Sequence, residues 1–583
     1  MKKIRFYKLT VLLILLLAAG ISTSFFFSQE TRDFRIAKNL DIFFSLFREL
    51  NIFYVDEINP DRIIKSGIDN MLRTLDPYTV YYPEADADEF AFMTTGKYGG
   101  IGAYVRKSGD YVVISEVFKG FPADKAGIKA GDLVIKVDGT SIKGFTTDKV
   151  SEKLKGSPGT DITLTIERNG KELDTPLKRE KISNPPVPYF GMLDDKTGYI
   201  RFTNFTQNST EDVRNALTSL RNSNPRQLIL DLRGNPGGLL TEAVETVNLF
   251  VGPGNPVVAT NGKVKQYDEN FKTTKAAVDE KIPIAILINR GSASAAEIVA
   301  GAIQDLDRGV IVGQRSYGKG LVQVTRQLSY GTQLKVTTAK YYIPSGRCIQ
   351  ALDFSHPNED GSVGIIPDSL ISEFKTRNGR IVRDGGGISP DIEVLPEQIS
   401  QIATELYLRN YIFDFATRYY WSHPAINTPS QFSLTDKDFD DFRNFLINRN
   451  FSYSTVTEES LNELISNARK EKYYDLHKEL FTELEKNISH SLDHDLSVFR
   501  EEIYELLEDE IISRYFYESG SIAWTIRKDE QVHKALEILN NKETYTSILN
   551  GKSGPILVSS DNRQSSAGTY FTKDNMSAHQ EPV

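Results

Sequence analysis

The spacing of apolar residues divides the chain into regions. Between Asp33 and about Glu89 they recur at three- and four-residue intervals, as at Leu40, Ile42, Phe43, Leu46, Phe47 and Leu50, which is the repeat of a helix with one apolar side. This predicts a helical cap over residues 31–95. The period then shortens. Leu133-Val134-Ile135-Lys136-Val137 followed by Asp138-Gly139 reads as a strand and tight turn, and Thr146–Leu154 as a helix with Val150 and Leu154 on one side, so a β-rich domain is expected over 96–171. Over 172–396 short apolar runs alternate with helical patterns: Tyr199–Phe202, Gln227–Leu232, Ile284–Ile288 and Val310–Gly313 read as strands, and a Ser209-capped run to Leu220 and Ala295–Ile303 as helices. Such alternation predicts an α/β sheet whose site lies at the carboxyl ends of its strands. Residues 397–550 return to a charged helical period, as in Phe442–Ile447 and Ile503–Ile512, and 551–583 are polar and expected to be disordered.

A chain of 583 residues is too long for one core and implies three or four domains. Its net charge of −9 argues against a general nucleic-acid binder. The single cysteine, Cys348, excludes an intramolecular disulfide and a Cys-rich metal site, and the histidines are too scattered to argue a metal centre, so no metal or cofactor is expected. The amino terminus adds a compartment. Lys2, Lys3, Arg5 and Lys8 precede the uncharged run Leu9–Phe27, the pattern of an export signal. At about 19 residues that run is near the lower limit of a membrane span, while Ser22-Thr23-Ser24 offers small residues for cleavage. Residues 1–30 are therefore a signal peptide or a membrane anchor, and the chain is expected in the periplasm or cell envelope, free or held at the inner membrane by residues 9–27.

The candidate chemistry is concentrated in 287–323. Ser294 falls where the strand Ile284–Ile288 turns into the helix from Ala295, with the Ala295 amide and the positive end of the helix beside it. A serine there needs a base. All seven histidines lie at or beyond His356, whereas Lys319 follows the strand Val310–Gly313 in the small-residue loop Tyr317-Gly318-Lys319-Gly320. One strand and one helix separate Ser294 from Lys319, which brings the ends of neighbouring parallel strands together, so a Ser-Lys dyad is geometrically reasonable. Lys319 could accept a proton only if burial lowers its pKa from about 10.4. Asp231-Leu232-Arg233-Gly234-Asn235-Pro236-Gly237-Gly238 lies just past another strand end, and Gly237 or Gly238 is the expected second oxyanion donor beside Ala295.

These stretches resemble the C-terminal processing (tail-specific) serine peptidases. The resemblance runs from about Leu40 to about Val394 and rests on Gly-Ser-Ala-Ser-Ala-Ala-Glu-Ile at 291–298, Ser-Tyr-Gly-Lys-Gly-Leu-Val-Gln at 316–323, the Asp231–Gly238 loop and a PDZ-like segment before them. It implies a multidomain α/β protein: a serine-protease core with crotonase/Clp-like sheet and helices, an inserted PDZ-like β-domain, a helical N-terminal cap and a helical C-terminal extension. It also implies Ser294 as nucleophile, Lys319 as general base and Gln323 as the side chain that holds the lysine. Where this chain has Ala296 the family usually has Ser. In the PDZ-like segment, Tyr98, Gly99, Gly100, Ile101 and Gly102 would form the glycine-rich loop that takes a terminal carboxylate, with Val150 and Leu154 walling the groove. The partners implied are protein or peptide substrates with a free C-terminus, an adaptor protein and a second copy of the chain. The last residues, Glu581-Pro582-Val583, end in an apolar side chain and could themselves enter the groove. Two other readings remain to be weighed: a Ser-His-Asp esterase, which lacks Gly-x-Ser-x-Gly around Ser294, and a non-catalytic PDZ scaffold, which leaves Ser294, Lys319 and Gln323 without purpose.

Overall fold

The computed structural model describes residues 32–84, 95–354, 356, 358, 362–488 and 491–552, and the backbone of Ile556–Val558 and Glu581–Pro582. It forms two compact units, one up to Tyr81 and one from Tyr82 onward. The first contains α1 (Arg32–Phe53) and α2 (Pro60–Arg73). The Asn59 side chain accepts the Arg62 N–H at 3.0 Å and Pro60 occupies the first turn, a well-formed start for α2. The apolar stripe of α1 was expected to pack as a cap, but α1 buries none of its residues; apolar side chains such as Phe34, Ile36, Phe43 and Phe44 fall on several sides of it and stay exposed. No helix among the described residues is long and apolar enough to cross a membrane, and Leu9–Phe27 lie outside them.

In the second unit a β-domain comes first: β1 (Lys97–Gly100), β2 (Ala103–Ser108), β3 (Tyr111–Val117), β4 (Leu133–Val137), α3 (Thr147–Leu154), β5 (Asp161–Arg168), β6 (Lys171–Lys178) and β7 (Glu180–Ser183). Strands β2-β3-β4-β5-β6 make one antiparallel sheet, while β1 pairs with β7. Its core is the apolar side of that sheet closed by Val150 and Leu154 of α3.

The following segment is β8 (Tyr189–Met192), β9 (Thr197–Arg201), α4 (Ser209–Arg221), β10 (Gln227–Asp231), α5 (Leu240–Asn248), β11 (Pro256–Gly262), β12 (Ile284–Ile288), α6 (Ala295–Asp305), β13 (Val310–Gly313), β14 (Leu321–Gln327), β15 (Gln333–Tyr342) and β16 (Ile392–Val394). The main sheet runs β8-β9-β10-β12-β13-β16, parallel except for β8. Because side chains alternate along a strand, Leu228, Leu230, Ile284, Ile286 and Ile288 enter one core with α4, α5 and α6, while Ile229, Ala285, Leu287, Val310 and Val312 enter a second.

The second face is covered from the far end of the chain. After a bundle of α7 (Gln401–Leu408), α8 (Tyr411–Ser422), α9 (Asp436–Asn448) and α10 (Arg500–Thr525) come α11 (Glu530–Asn540) and α12 (Lys542–Leu549), and these place Val532, Ala535, Ile538, Tyr545 and Ile548 against the sheet. The last two helices of the expected extension are thus a layer of the α/β core. Nor is the end of the chain wholly without structure: β17 (Ile556–Val558) adds to the sheet beside β16, and β18 (Glu581–Pro582) pairs with β2. The parts of 551–583 between and after these strands lie outside the described residues.

Candidate active site

Register aligns the carboxyl ends of the central strands. Arg201 stands beside Asp231, Asp231 beside Leu287, and Ile288 beside Gly313, so the loops 232–239, 289–294 and 314–320 open on one end of the sheet. Side chains and backbone stitch these loops together. Asn289 Oδ1 accepts the amides of Gly234 (2.8 Å) and Gly291 (3.0 Å), Ser292 Oγ donates to the Leu232 carbonyl (2.8 Å), and the Tyr317 amide donates to Ser292 (3.0 Å).

Ser294 sits on the strand-to-helix turn with φ 54° and ψ −113°, a backbone conformation that costs a non-glycine residue energy and is kept where the surroundings impose it. The imposing group is Glu297. This fully buried carboxylate accepts the Ser294 amide (2.8 Å) and the Lys319 amide (2.9 Å) on Oε2, and the Gly318 amide (2.7 Å) and Ser316 Oγ (2.5 Å) on Oε1. One oxygen therefore joins the backbone of the nucleophile candidate to that of the base candidate. Tyr341, on β15, closes the same pair from the other side: its hydroxyl donates to the Lys319 carbonyl (2.5 Å) and lies 3.2 Å from that of Ser294. Burial pushes the Glu297 pKa up to about 7 against the four hydrogen bonds that favour the ionised form. Lys319 is half-buried. Gln323, also half-buried, gives its amide nitrogen to Thr337 Oγ1 (3.2 Å) across the β14–β15 pair, which leaves its oxygen as acceptor. The Ile388 amide donates to Ser316 Oγ (2.6 Å) and the Ser316 amide to the Ile388 carbonyl, so the 385–391 loop buttresses the lysine loop.

The two glycines expected as oxyanion donors separate. The Gly237 amide donates to Asn235 Oδ1 (2.9 Å), which corrects its assignment as a free donor. Its role is one of shape: a Cβ there would lie 2.8 Å from Ser294 Cβ and 2.9 Å from the Ala295 nitrogen, so only glycine lets this loop approach the nucleophile. Among the described residues no acceptor takes the amides of Gly238 or Ala295. Ala296, the departure from the family pattern, is fully buried in the core beneath α6, where a methyl group suffices.

Residues 196–371 match peptidase family S41, residues 91–167 match the PDZ domain, and residues 402–539 match the C-terminal helical domain of a probable PDZ-protease. The chain is 36% identical over 347 residues to the probable CtpA-like serine protease of Staphylococcus aureus (strain MRSA252), covering 59% of this chain and 67% of that protein. It is 35% identical over 342 residues to the carboxy-terminal-processing protease of Bartonella bacilliformis, covering 58% of this chain and 76% of that one. The chain belongs to peptidase family S41. The solved photosystem II D1 C-terminal processing protease matches with 27% identity and a TM-score of 0.34, over 61% of this chain and 93% of that one.

As an S41 peptidase with a PDZ domain, the protein is a serine-type, C-terminal processing protease. His356, the histidine nearest in sequence to Ser294, is an exposed residue paired with Asp353 at 2.9 Å.

The PDZ residues are arranged differently from the expectation. Tyr98, Gly99 and Gly100 do not form a free loop: they lie in β1, opposite Ile182, Lys181 and Glu180 of β7. Only Ile101 and Gly102 connect β1 to β2; their carbonyls accept the Ala123 (2.8 Å) and Phe118 (2.9 Å) amides, and among the described residues no acceptor takes their own N–H groups. A Cβ on Gly102, at φ +77°, would lie 2.5 Å from Phe121 Cβ, so this turn requires glycine. Val150 and Leu154 are fully buried, packed with Ile101 and Val105 in the domain core, on a helix that also lies against the strand formed by Glu581–Pro582.

Glu297, Tyr341 and a buried charge cluster were not singled out from sequence. In that cluster Asp231 receives Tyr199 Oη (2.6 Å) and pairs with Arg201 (2.8 Å) and Arg233 (2.6 Å), and Arg233 also pairs with Asp529 at the start of α11 (2.6 Å). Burial alone would raise the Asp231 pKa, but the two guanidinium groups hold it below the usual carboxylate range. A signal existed for Glu297: Ser at a helix N-cap with Glu three residues on is a capping-box spacing. For Tyr341 the signal was only its place in Lys340–Pro344, a strand-and-turn stretch that resembles the family and reads as a support for the site; its individual role was hidden because its partners come from distant loops.

Proposed function

We propose that this S41 peptidase cleaves near the C-terminal ends of exported proteins with a Ser294-Lys319 dyad. The observation that carries the reading is the shared Glu297 oxygen, which ties the amides of Ser294 and Lys319 to one point. In this mechanism neutral Lys319 takes the Ser294 proton as Oγ attacks the scissile carbonyl. The amides of Ala295 and Gly238 receive the oxyanion, the first with the helix dipole of α6 behind it. Lys319 then returns the proton to the leaving amine, and water hydrolyses the acyl-enzyme by the same route reversed. Gln323 orients the lysine through its free oxygen. Lysine serves as a base only when desolvated, and a peptide lying over the half-buried Lys319 supplies the rest of that shielding.

The PDZ domain selects substrates: the Ile101 and Gly102 amides take the terminal carboxylate and the β2 edge pairs with the peptide. The basic-then-apolar start of the chain supports a location in the cell envelope, with residues 9–27 as signal or anchor. The test is cleavage of one labelled, unstructured peptide with a free or amidated C-terminus, by the wild type and by Ser294→Ala. Turnover lost in Ser294→Ala and reduced on amidation supports both halves. Residual turnover in Ser294→Ala refutes the dyad, and equal rates on the two peptides refute carboxylate recognition.

A further inference from the structure

The peptide-binding edge of the PDZ domain is occupied by the chain itself. Strand β2 has β3 on one side and β18 on the other, antiparallel, with Glu581 opposite Val105 and Pro582 opposite Tyr104. Helix α3 lies against both β2 and β18. Without β18, β2 would be an open sheet edge, a template for any extended segment. Addition of a strand to this edge is the mode by which a PDZ domain takes a peptide. Proline has no N–H and is tolerated in a strand only where its nitrogen faces away from the neighbour; of these two residues only Glu581 can donate an N–H to β2. The same stretch of chain begins on the catalytic sheet, where β17 pairs with β16, so it is fixed to the protease core at one end and to the PDZ edge at the other.

We propose that the segment carrying Glu581–Pro582 is a cis ligand of the PDZ domain that competes with substrate C-termini for β2. The competition rests on the reading of that edge as the substrate site. A tethered competitor meets its site at an effective concentration on the order of millimolar. A strand this short is a weak ligand, and if its own Kd is roughly 0.1–1 mM, the apparent Kd of an incoming peptide rises about twofold to tenfold.

Two variants separate the parts of this proposal. Deleting residues 559–583 removes β18 and keeps β17; Glu581→Pro keeps the segment and removes the N–H that can pair with β2. Amide hydrogen exchange of residues 103–108 reads the docking directly, and these amides are expected to exchange several-fold faster in both variants. A fluorescent decapeptide with an apolar, free C-terminus reads the competition, and it is expected to bind both variants about twofold to tenfold more tightly than the full chain. Unchanged exchange overturns the docking. Faster exchange with unchanged decapeptide affinity overturns the competition. If the decapeptide binds none of the three proteins, the substrate-recognition reading fails, while the exchange data still decide whether β18 docks.

Discussion

Replacing Glu297 by glutamine should separate catalysis from folding. The carboxylate takes four donors, two on each oxygen. Glutamine preserves the shape but presents only one oxygen, so in either orientation its NH2 group faces two donors that lose their acceptor. A buried donor left unsatisfied costs about 1–3 kcal/mol, hence roughly 2–6 kcal/mol for the pair. Against this stands the cost of keeping the buried carboxylate ionised. The interval from 4.5 to about 7, at 1.36 kcal/mol per pH unit, is roughly 3.4 kcal/mol at neutral pH and above, a cost that glutamine does not carry. The two effects largely cancel in stability, and the expected change in melting temperature is small. They do not cancel in the site, because the Ser294 and Lys319 amides lose their common anchor, and a displacement of about 1 Å can cost about 100-fold in rate. The pH dependence has a defined sign. A carboxyl group whose folded pKa is raised contributes stability below about 4.5 that is lost as pH rises through about 7. The ionised form is the one that accepts all four donors, so wild-type turnover should rise through the same interval. Steady-state kinetics on a peptide from pH 5 to 9, with thermal melts at each pH, make the comparison. Glu297→Gln turnover within about threefold of wild type, on an unchanged acid limb, would refute the anchoring argument.

Lys319→Arg and Lys319→Ala should both abolish cleavage without changing the melt, since arginine keeps its charge but cannot give up its proton; near-normal turnover in Lys319→Arg excludes the dyad. Gln323→Ala should lower kcat by roughly 10–1,000-fold with little change in KM, and an unchanged kcat removes the side chain from the site. Tyr341→Phe loses one hydroxyl shared by the Ser294 and Lys319 carbonyls, worth about 0.5–1.5 kcal/mol, so a fall of about 2- to 13-fold in kcat is expected. At the contact between the PDZ domain and α10, burial first and then the charges of Glu518 and Glu510 raise the Glu116 pKa to about 8. Its stabilising contribution is therefore lost as pH rises from about 4.5 through about 8. Hydrogen exchange at β3 and α10 should show the contact loosening between pH 6 and 9 in the wild type and much less in Glu116→Gln.

The parts legible in the sequence were those written in a short repeat or a local turn. The apolar runs at 227–232, 284–288 and 310–313 appear as β10, β12 and β13, and Ser294 lies on the turn that their pattern placed before a helix. The parts that were not legible depend on residues far apart. The helical period of 530–549 reveals an apolar face but not that it closes the second side of a sheet formed 300 residues earlier, since a helix packs equally well on a bundle or a sheet. Gly237 and Gly238 look alike in sequence; only the position of the Asn235 side chain distinguishes the bonded amide from the free one. The PDZ loop shows the same limit: Tyr98, Gly99 and Gly100 read as a glycine-rich loop but pair as a strand with residues 180–182. Val150 and Leu154 share a face of α3, and periodicity does not tell a groove wall from a core layer; that face is buried with β18 lying against the helix.

The second-face helices have a consequence for the site. Asp231 ends β10 and opens the loop that carries Gly237 and Gly238, and its charge is balanced by Arg201 and Arg233. Arg233 is bound in turn by Asp529, which caps α11 through the Gln531 (2.9 Å) and Val532 (3.1 Å) amides. A buried guanidinium shared by two carboxylates is costly to leave half-paired, so displacement of α11 would leave Arg233 short of one partner and disturb the loop beside Ser294. The bundle before α11 also grips the PDZ domain: Arg106 of β2 and Arg514 of α10 both stack on Phe413 of α8, and Tyr517 of α10 donates to Asp124 (2.9 Å). One continuous stretch, 401–549, thus contacts the PDZ domain through α8 and α10 and the catalytic loop through α11.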